Sequence, residues 1–535
     1  MRLPPSLQAA ALGGLCGFGF APFGWFPLPV VSLALLLRLC ARAATPRAAG
    51  KLGYVWGLGF FLGGVSWVYV SLHDVGGMAA PIALAATVAF CAYLALFPAL
   101  AMYGLRRFSP GGVHEADKVA PNGEPRRLTS ADFFWRRAGL AAGLWVLTEY
   151  LRGTLFTGFP WLALGYAQTP PSPLAGYAAV LGVYGVGGLV ALVAALLAFA
   201  NTRHRRLVAA AAIVGLLAGG ALLRAMDWTQ PSGAPFSVSL LQGNIPQSLK
   251  WDPERLPLSV ETYARLTRDH PADLTVLPET AIPLFFDQVP AELWQALTRH
   301  GNALVGIAIR LQDGGYVNGA VALRPSVPAN PITAGSIDKA APAVAVPPAP
   351  TFTGTQSYAK RHLVPFGEYV PPGFAWFFDL VRIPMSDFTA GPAVQPALQI
   401  GAAHVAVNIC YEDLFGAEIR QALPEATLLI NLSNTAWFGD SLAQPQHLQI
   451  ARLRALETGR MMLRATNTGM TAAIAPDGRV LGALPPFTAG ALRIEAQGFT
   501  GITPYLRWGD ALALVLAIGA CLPLFMEVWR RRRSR

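Results

Sequence analysis

The sequence predicts a polytopic membrane protein of eight transmembrane helices that carries an extracytoplasmic α/β domain. Three observations lead there. Charged residues are only 13% of the chain, against roughly 25% in soluble proteins, and the deficit is concentrated in segments of membrane-spanning length. The basic residues are clustered. Arg2 and the stretches 38–51, 106–137, 201–206 and 530–535 together hold 20 Lys/Arg and 4 Asp/Glu, a surplus of +16 within a net charge of +11. The remainder is therefore acidic, at −5, which suits cytoplasmic loops under the positive-inside bias. It argues against nucleic acid as a partner, which needs a basic face on the folded domain. Third, between about residue 224 and residue 508 the long apolar runs give way to short strands alternating with helices.

Residues 6–37 are apolar but broken by Ala21-Pro22-Phe23-Gly24 and Pro27, so they make one irregular span or two short ones. Leu52–Leu72 and Ala79–Leu105 follow as spans. The 106–137 loop is polar, basic and Pro/Gly-bearing, with little fold of its own. Phe133–Tyr150 returns across, Arg152–Pro173 is an aromatic outer loop, and Leu174–Ala200, Leu207–Leu223 and Ala511–Trp529 complete the set. With eight spans every basic cluster falls on one side and both termini are cytoplasmic. Glycines four apart (Gly53/Gly57, Gly59/Gly63, Gly139/Gly143) mark close helix packing. Glu149 and Arg152, near a membrane boundary, are either a mutual ion pair or part of a headgroup site. The expected division is a bundle over 1–228, a catalytic domain over 229–500, and a last helix with a basic tail over 501–535.

In the outer domain Phe236–Leu241, Leu274–Leu277, Ala303–Ile309, His404–Ile409 and Ala426–Leu432 read as strands. Pro253–Asp269, Pro290–His300, Gly416–Leu423 and a long segment from about Gln444 to Arg460 read as helices. Met470–Ala475 and Arg479–Leu484 form a hairpin around Pro476-Asp-Gly. The 325–356 stretch, Pro/Ala-rich and poor in charge, reads as a flexible insert.

The stretch with most chemistry is 404–415, His-Val-Ala-Val-Asn-Ile-Cys-Tyr-Glu-Asp-Leu-Phe. A β-branched run ends at Cys410, and Glu412-Asp413 opens what looks like a helix. A nucleophile at such a turn points out of the sheet, with backbone N–H groups close to the oxygen of any carbonyl it attacks. Cys410 is the only cysteine outside the apolar segments, and a lone thiol in an extracytoplasmic domain invites a functional explanation. Taken alone it reads equally as a small buried hydrophobe. Three further groups sit at strand ends or tight loops. Glu279, behind Pro278, can act as a general base if burial raises its pKa. Lys360 precedes a rigid Pro-Phe-Gly turn and can stabilise a thiolate and an oxyanion. Glu368 closes that turn and can hold Lys360 charged.

Here a resemblance enters. Leu277-Pro-Glu-Thr, Lys360-Arg-His-Leu-Val-Pro-Phe-Gly-Glu and Asn408-Ile-Cys-Tyr-Glu resemble the motifs of the nitrilase/carbon–nitrogen hydrolase superfamily. With the membrane framework the chain resembles one branch of it, the bacterial apolipoprotein N-acyltransferases. Gln242-Gly-Asn-Ile-Pro-Gln-Ser-Leu-Lys-Trp251, Asn431-Leu-Ser-Asn-Thr-Ala-Trp-Phe-Gly-Asp with Gln446-His447, and Arg464-Ala-Thr-Asn-Thr-Gly469 fit as well.

The resemblance implies a nitrilase-like αββα sandwich on eight membrane helices in the bacterial inner membrane, with the domain in the periplasm. It implies Cys410 as nucleophile, Glu279 as base, Lys360 as oxyanion stabiliser and Glu368 as a supporting carboxylate. Tyr411, Glu412 and Trp251 would line or brace the pocket. It implies a two-step transfer from a phospholipid acyl donor, through a cysteine thioester, to a diacylglyceryl apolipoprotein acceptor, with no metal or cofactor. Phe374, Trp376, Phe377 and Phe378, on a Gly/Pro-hinged loop, and Trp437 and Phe438 read as a gate toward the bilayer. Two readings compete: a membrane-anchored amidase that hydrolyses a small amide with the same triad, and a transporter with a degenerate appended domain, which needs charged residues deep in the spans and finds only Glu149 and Arg152 near an edge.

Overall fold

The computed structural model describes residues 3–109, 130–250, 254, 256–325, 355–371, 373 and 387–533. Trp251, Phe374, Trp376, Phe377 and Phe378 lie outside the described residues, as do nearly all of the 325–356 insert and most of the 106–137 loop.

The N-terminal part is a helical bundle: α1 (Pro5–Gly17), α2 (Pro27–Ala41), α3 (Pro46–Gly64), α4 (Ala80–Phe108), α5 (Ser130–Arg152), α6 (Ala178–Phe199) and α7 (Arg203–Arg224). Among the described residues, three helical segments are long and apolar enough to cross a membrane: Ala80–Phe108, Pro173–Phe199 and Arg203–Arg224. A bent pair, Pro46–Gly64 with Trp67–Val75, makes a fourth. The stretch read as a span over Leu52–Leu72 falls on this pair and is bent, by 52°. The other helices fall short for visible reasons. Helices α1 and α2 have 13 and 15 residues, about 20–23 Å at 1.5 Å per residue, and α5 carries Arg136, Arg137, Glu149 and Arg152.

The glycine spacing does mark close packing. Gly57 lies against Ala95 and Pro98, Gly59 against the Ala10 carbonyl, and Gly143 against Ala517 and Cys521, whereas Gly63 faces open space. Glu149 and Arg152 are a buried ion pair at 3.9 Å. Arg152 also donates to the carbonyls of Phe159 and Trp161 (2.7 and 2.6 Å), and Glu149 accepts from Leu164 N–H at 2.8 Å. The pair fastens the aromatic loop after α5, which is buried from Pro160 to Thr169.

The second part contains twelve described strands in two six-stranded sheets. One runs β12-β1-β2-β3-β4-β5 and the other β11-β10-β9-β8-β7-β6. Their ranges are β1 Thr229–Gln242, β2 Leu274–Leu277, β3 Asn302–Arg310, β4 Tyr316–Leu323, β5 Gln356–Ala359, β6 Leu398–Ile400, β7 Ala403–Ile409, β8 Leu428–Ser433, β9 Met462–Thr466, β10 Ala472–Ile474, β11 Val480–Ala483 and β12 Gly490–Gly501. The sheets face each other across Val238, Val276 and Leu304 on one side and Val405, Ile430 and Leu463 on the other. Helices α8 (Leu256–Asp269) and α9 (Ala291–Leu297) cover the outer face of the first sheet, and α10 (Ala443–Thr458) that of the second. Four layers, αββα, result. A short helix α11 (Pro504–Trp508) and α12 (Ala511–Arg533) return the chain to the bundle.

Strands β1, β2 and β3 are mutually parallel, as are β7, β8 and β9. Two antiparallel pairings bring β5 back into the direction of β3. The carboxyl ends of β2, β5, β7 and β8 therefore open on one rim, the place where open α/β sheets present ligand-binding groups.

Candidate active site

Strand β7 is continuously buried from Val405 because its run of apolar side chains is sandwiched between the facing sheet and α10. At its end Cys410 adopts φ 54°, a left-handed conformation costing on the order of 1–3 kcal/mol in a non-glycine residue. The chain then makes a tight single turn over Cys410–Leu414 rather than the helix expected there.

Neighbouring polar groups hold this conformation. The Glu412 carboxylate accepts from the backbone N–H of Ile409 and Arg361 (both 2.7 Å), from that of His362 (3.1 Å) and from the Tyr358 hydroxyl (3.0 Å). Asn431 Nδ2 donates to the Cys410 carbonyl at 3.2 Å. Asp413 is shared by Arg464 and His447, each at 2.8 Å. Tyr411 turns toward the bundle and donates to the Gly158 carbonyl at 2.9 Å.

Glu279 follows β2 on a loop pressed against β3. A Cβ on Gly306 would collide with the Pro278 carbonyl and Glu279 Cα, so only glycine lets that loop close. Lys360 directly follows β5, and its N–H donates to the Asn318 carbonyl at 2.7 Å. The Val364–Glu368 turn folds back so that Glu368 accepts from Val364 N–H at 2.8 Å.

These elements bring the expected groups together. Lys360 Nζ is 3.2 Å from Glu279 and 2.8 Å from Glu368. Asn318 Nδ2 bridges the same two carboxylates at 2.7 and 2.8 Å. Asn434 N–H, at the end of β8, donates to the other Glu279 oxygen at 2.7 Å. Lys360, Glu279 and Cys410 are 1%, 6% and 6% exposed, so their charges act in a weakly screening medium.

Burial pushes the Glu279 carboxyl up, but Lys360, Asn318 and Asn434 N–H together hold it below the usual carboxylate range. Burial pulls Lys360 down, and Glu279 and Glu368 more than reverse this, holding it charged. Burial and the Glu279 charge push the Cys410 thiol well above its ordinary value, against the opposing influence of Lys360. The resting site thus pairs a protonated thiol with an ionised carboxylate and an ammonium. Such a set can move one proton from sulfur to Glu279 and meet a developing oxyanion with Lys360.

Three participants were not singled out by residue type. Lys250 is buried, donates to the Glu279 carbonyl at 3.2 Å, and is drawn down to about 8 by burial. It lies in the motif string ending at Trp251, and Asn434 lies in the one beginning at Asn431, so both carried a signal. Asn318 carried none, being one polar residue in a strand. Among the gate residues, Trp437 is half-buried and its carbonyl accepts from Ser71 Oγ at 2.7 Å. Phe438 packs on Trp67 and Trp161, with ring centroids at 4.7 and 5.9 Å, which ties it to the bundle.

Two facing sheets of this topology, with Glu279, Lys360 and Cys410 converging at their strand ends, define a catalytic domain of the carbon–nitrogen hydrolase class. Sequence comparison agrees: residues 237–497 match the carbon-nitrogen hydrolase family model, and residues 12–196 match that of the apolipoprotein N-acyltransferase N-terminal domain. An apolipoprotein N-acyltransferase of Nitrosomonas europaea is 45% identical over 522 residues, covering 95% of each chain. That of Ralstonia nicotianae is 43% identical, covering 98% of this chain and 93% of its own. That of Chromobacterium violaceum is 45% identical, covering 99% and 96%. The chain belongs to the apolipoprotein N-acyltransferase family.

Proposed function

We propose that this protein transfers an acyl chain from a phospholipid to the α-amino group of the N-terminal diacylglyceryl-cysteine of apolipoproteins, through a thioester on Cys410. The observation that carries the reading is the buried Glu279–Lys360–Cys410 cluster built onto an apolar helical bundle. Both substrates are lipids, and exposing an acyl chain to water costs roughly 0.8 kcal/mol per methylene. A site resting on membrane helices admits such chains laterally, which a soluble amidase does not need.

In the first step Glu279 takes the thiol proton as Cys410 sulfur adds to the ester carbonyl. The ammonium of Lys360, steadied by Glu368, stabilises the oxyanion. Collapse breaks the ester C–O bond, and the lysophospholipid alkoxide leaves with the proton held by Glu279. In the second step the acceptor amine adds to the thioester while Glu279 takes its proton. The C–S bond breaks, the amide forms, and the proton returns to sulfur. Glu412 braces the turn behind the nucleophile, Tyr411 lines the bundle side, and Trp251 is assigned to the pocket with it. Phe374, Trp376, Phe377, Phe378, Trp437 and Phe438 are assigned to the lipid-facing gate.

The accompanying topology has eight spans, both termini cytoplasmic, and the catalytic domain periplasmic at a bacterial inner membrane. Its parts are 1–228, 229–500 and 501–535. The test is intact-protein mass after incubation with phospholipid alone, beside Cys410→Ala. One acyl mass is expected on the unmodified protein, absent from the variant and discharged by a diacylglyceryl-cysteine peptide. Free fatty acid without an adduct would instead establish the hydrolase.

A further inference from the structure

We propose that the cleft between the outer end of α7 and the short helix α11 binds one phospholipid molecule, with its phosphate on Arg507, at a site separate from Cys410. The cleft measures about 530 Å³ and is lined by Trp228, Pro424, Ile502, Leu506, Arg507 and Trp508, among others. None of its lining residues belongs to the cluster around Cys410, and none is acidic. The volume falls within the ~300–1,000 Å³ of ordinary ligand clefts, large enough for a glycerophosphate and the first methylenes of two chains.

The chemistry of the walls selects the occupant. Trp228 lies four residues beyond the end of α7 and Trp508 three residues before the start of α12. Tryptophan at such positions marks the headgroup level of a bilayer. Away from the cleft, α7 and α12 present apolar side chains outward: Val214 and Leu222 are 64% and 70% exposed, and Val515 and Leu516 are 65% and 55%. A two-chain lipid continues along these faces; a water-soluble ligand or a peptide has no use for them.

The polar end is supplied by Arg507. It is the only charged side chain of the lining and is exposed. Among the described residues its guanidinium has no ion pair or side-chain hydrogen bond, only the face of Trp508 at 6.0 Å. A free guanidinium pairs with phosphate or carboxylate, and the apolar, Trp-flanked walls select between them in favour of a lipid phosphate. The cleft floor also meets the segment that begins at the nucleophile. Leu423 and Pro424 end that segment, and Arg420 donates to the Leu506 carbonyl at 3.1 Å. The bound lipid therefore braces the seam between catalytic domain and membrane, and is not the acyl donor.

This inference rests on the membrane reading of α7 and α12 and not on the acyl-transfer reading. It is tested on full-length protein bearing Cys410→Ala, which cannot turn the probe over, in phosphatidylcholine nanodiscs. Two photoactivatable lipids with the reactive group near the glycerol are compared: a phosphatidylethanolamine and the matched diacylglycerol lacking phosphate. Cross-linked peptides are then mapped. The phosphatidylethanolamine is expected on peptides spanning 223–228 and 502–508 at about fivefold the diacylglycerol level, with Arg507→Gln bringing it down to that level. Ile502→Trp, which fills the cleft, is expected to lower both labels there and nowhere else. Equal labelling by the two lipids, labelling unchanged by Arg507→Gln, or labelling spread evenly over all lipid-facing helices would overturn the site. A labelled cleft in a protein that forms no acyl-enzyme with Cys410 intact would instead overturn only the acyl-transfer reading.

Discussion

At the scale of single residues the site is a balance between burial and two opposite charges. Burial and Glu279 raise the Cys410 thiol while Lys360 lowers it, so sulfur is protonated at neutral pH and the thiolate fraction grows tenfold per pH unit. Alkylation of Cys410 by iodoacetamide is accordingly expected to be slow at about pH 7 and to rise roughly tenfold per unit up to about pH 9 without a plateau. Glu279→Gln removes a charge that opposes the thiolate. Alkylation at fixed pH should become faster, while acyl transfer falls ~10²–10⁴-fold for want of the base. Lys360→Met should slow alkylation and also lower acyl transfer, by ~10²–10³-fold. Measuring both rates on both variants separates proton transfer from packing. Slower alkylation in Glu279→Gln would show that Glu279 acts on the thiol through structure and not through its charge.

At the scale of elements, each of Glu279, Lys360 and Cys410 stands where a strand stops and a second polar network fixes the turn. Glu412 does this for Cys410 with three backbone N–H groups. Glu412→Gln keeps the shape but turns one acceptor into a donor facing those groups. An expected loss of ~1–3 kcal/mol follows from buried donors left unpaired, read as a lower Tm, with kcat reduced although Cys410 is untouched. Arg152→Leu leaves Glu149 buried without its partner and frees the carbonyls of Phe159 and Trp161. A cost of ~3–5 kcal/mol is expected, again checked by thermal unfolding.

Much of this scale was legible before the structure. Strands β2 and β7 end where their apolar runs end, because Pro278 and the polar Cys-Tyr-Glu-Asp string break the pattern. Glu279, Lys360 and Cys410 are each a weak signal alone, an ionisable group at a strand end or tight loop, and it is the resemblance of their surrounding motifs that joins them. What was not legible depended on contacts distant in sequence. One sheet could not be told from two facing sheets, since the strands of both alternate with helices in the same way. The turn at Cys410 looked like a helix start because the donors that bind the Glu412 carboxylate come from Tyr358 to His362, distant in sequence. Asn318 is unremarkable until β3, β4 and β5 pair and place its amide between two carboxylates. The bend after Gly64 was hidden by uniformly apolar composition.

At the scale of the whole molecule, the bundle and the sandwich share one core. Tyr411, Leu414, Ile450 and Leu453 of the catalytic part are packed in the same buried cluster as Trp161, Leu164, Val190 and Leu196. Polar ties cross the same boundary. Trp161 Nε1 donates to Gln446 at 2.7 Å, and Arg452 to the Pro170 carbonyl at 2.7 Å. Gly182, at φ 64°, interrupts α6, and the Val183 N–H so released donates to Glu457 at 2.7 Å. An isolated 229–500 fragment would expose to water the α10 face that these contacts cover, with Leu453 and Ile450 beside Gln446 and Glu457. Contiguous exposed patches of that kind drive association. The fragment is therefore expected to aggregate or to be cleaved rapidly by protease, with Cys410 alkylated much faster than in the full chain because burial no longer restrains its ionisation. Restoring residues 1–228 in trans in detergent should recover protease resistance and slow alkylation together. A soluble, protease-resistant fragment whose Cys410 reacts as slowly as in the intact protein would mean that the sandwich organises its site alone, and that the bundle serves only to deliver lipid.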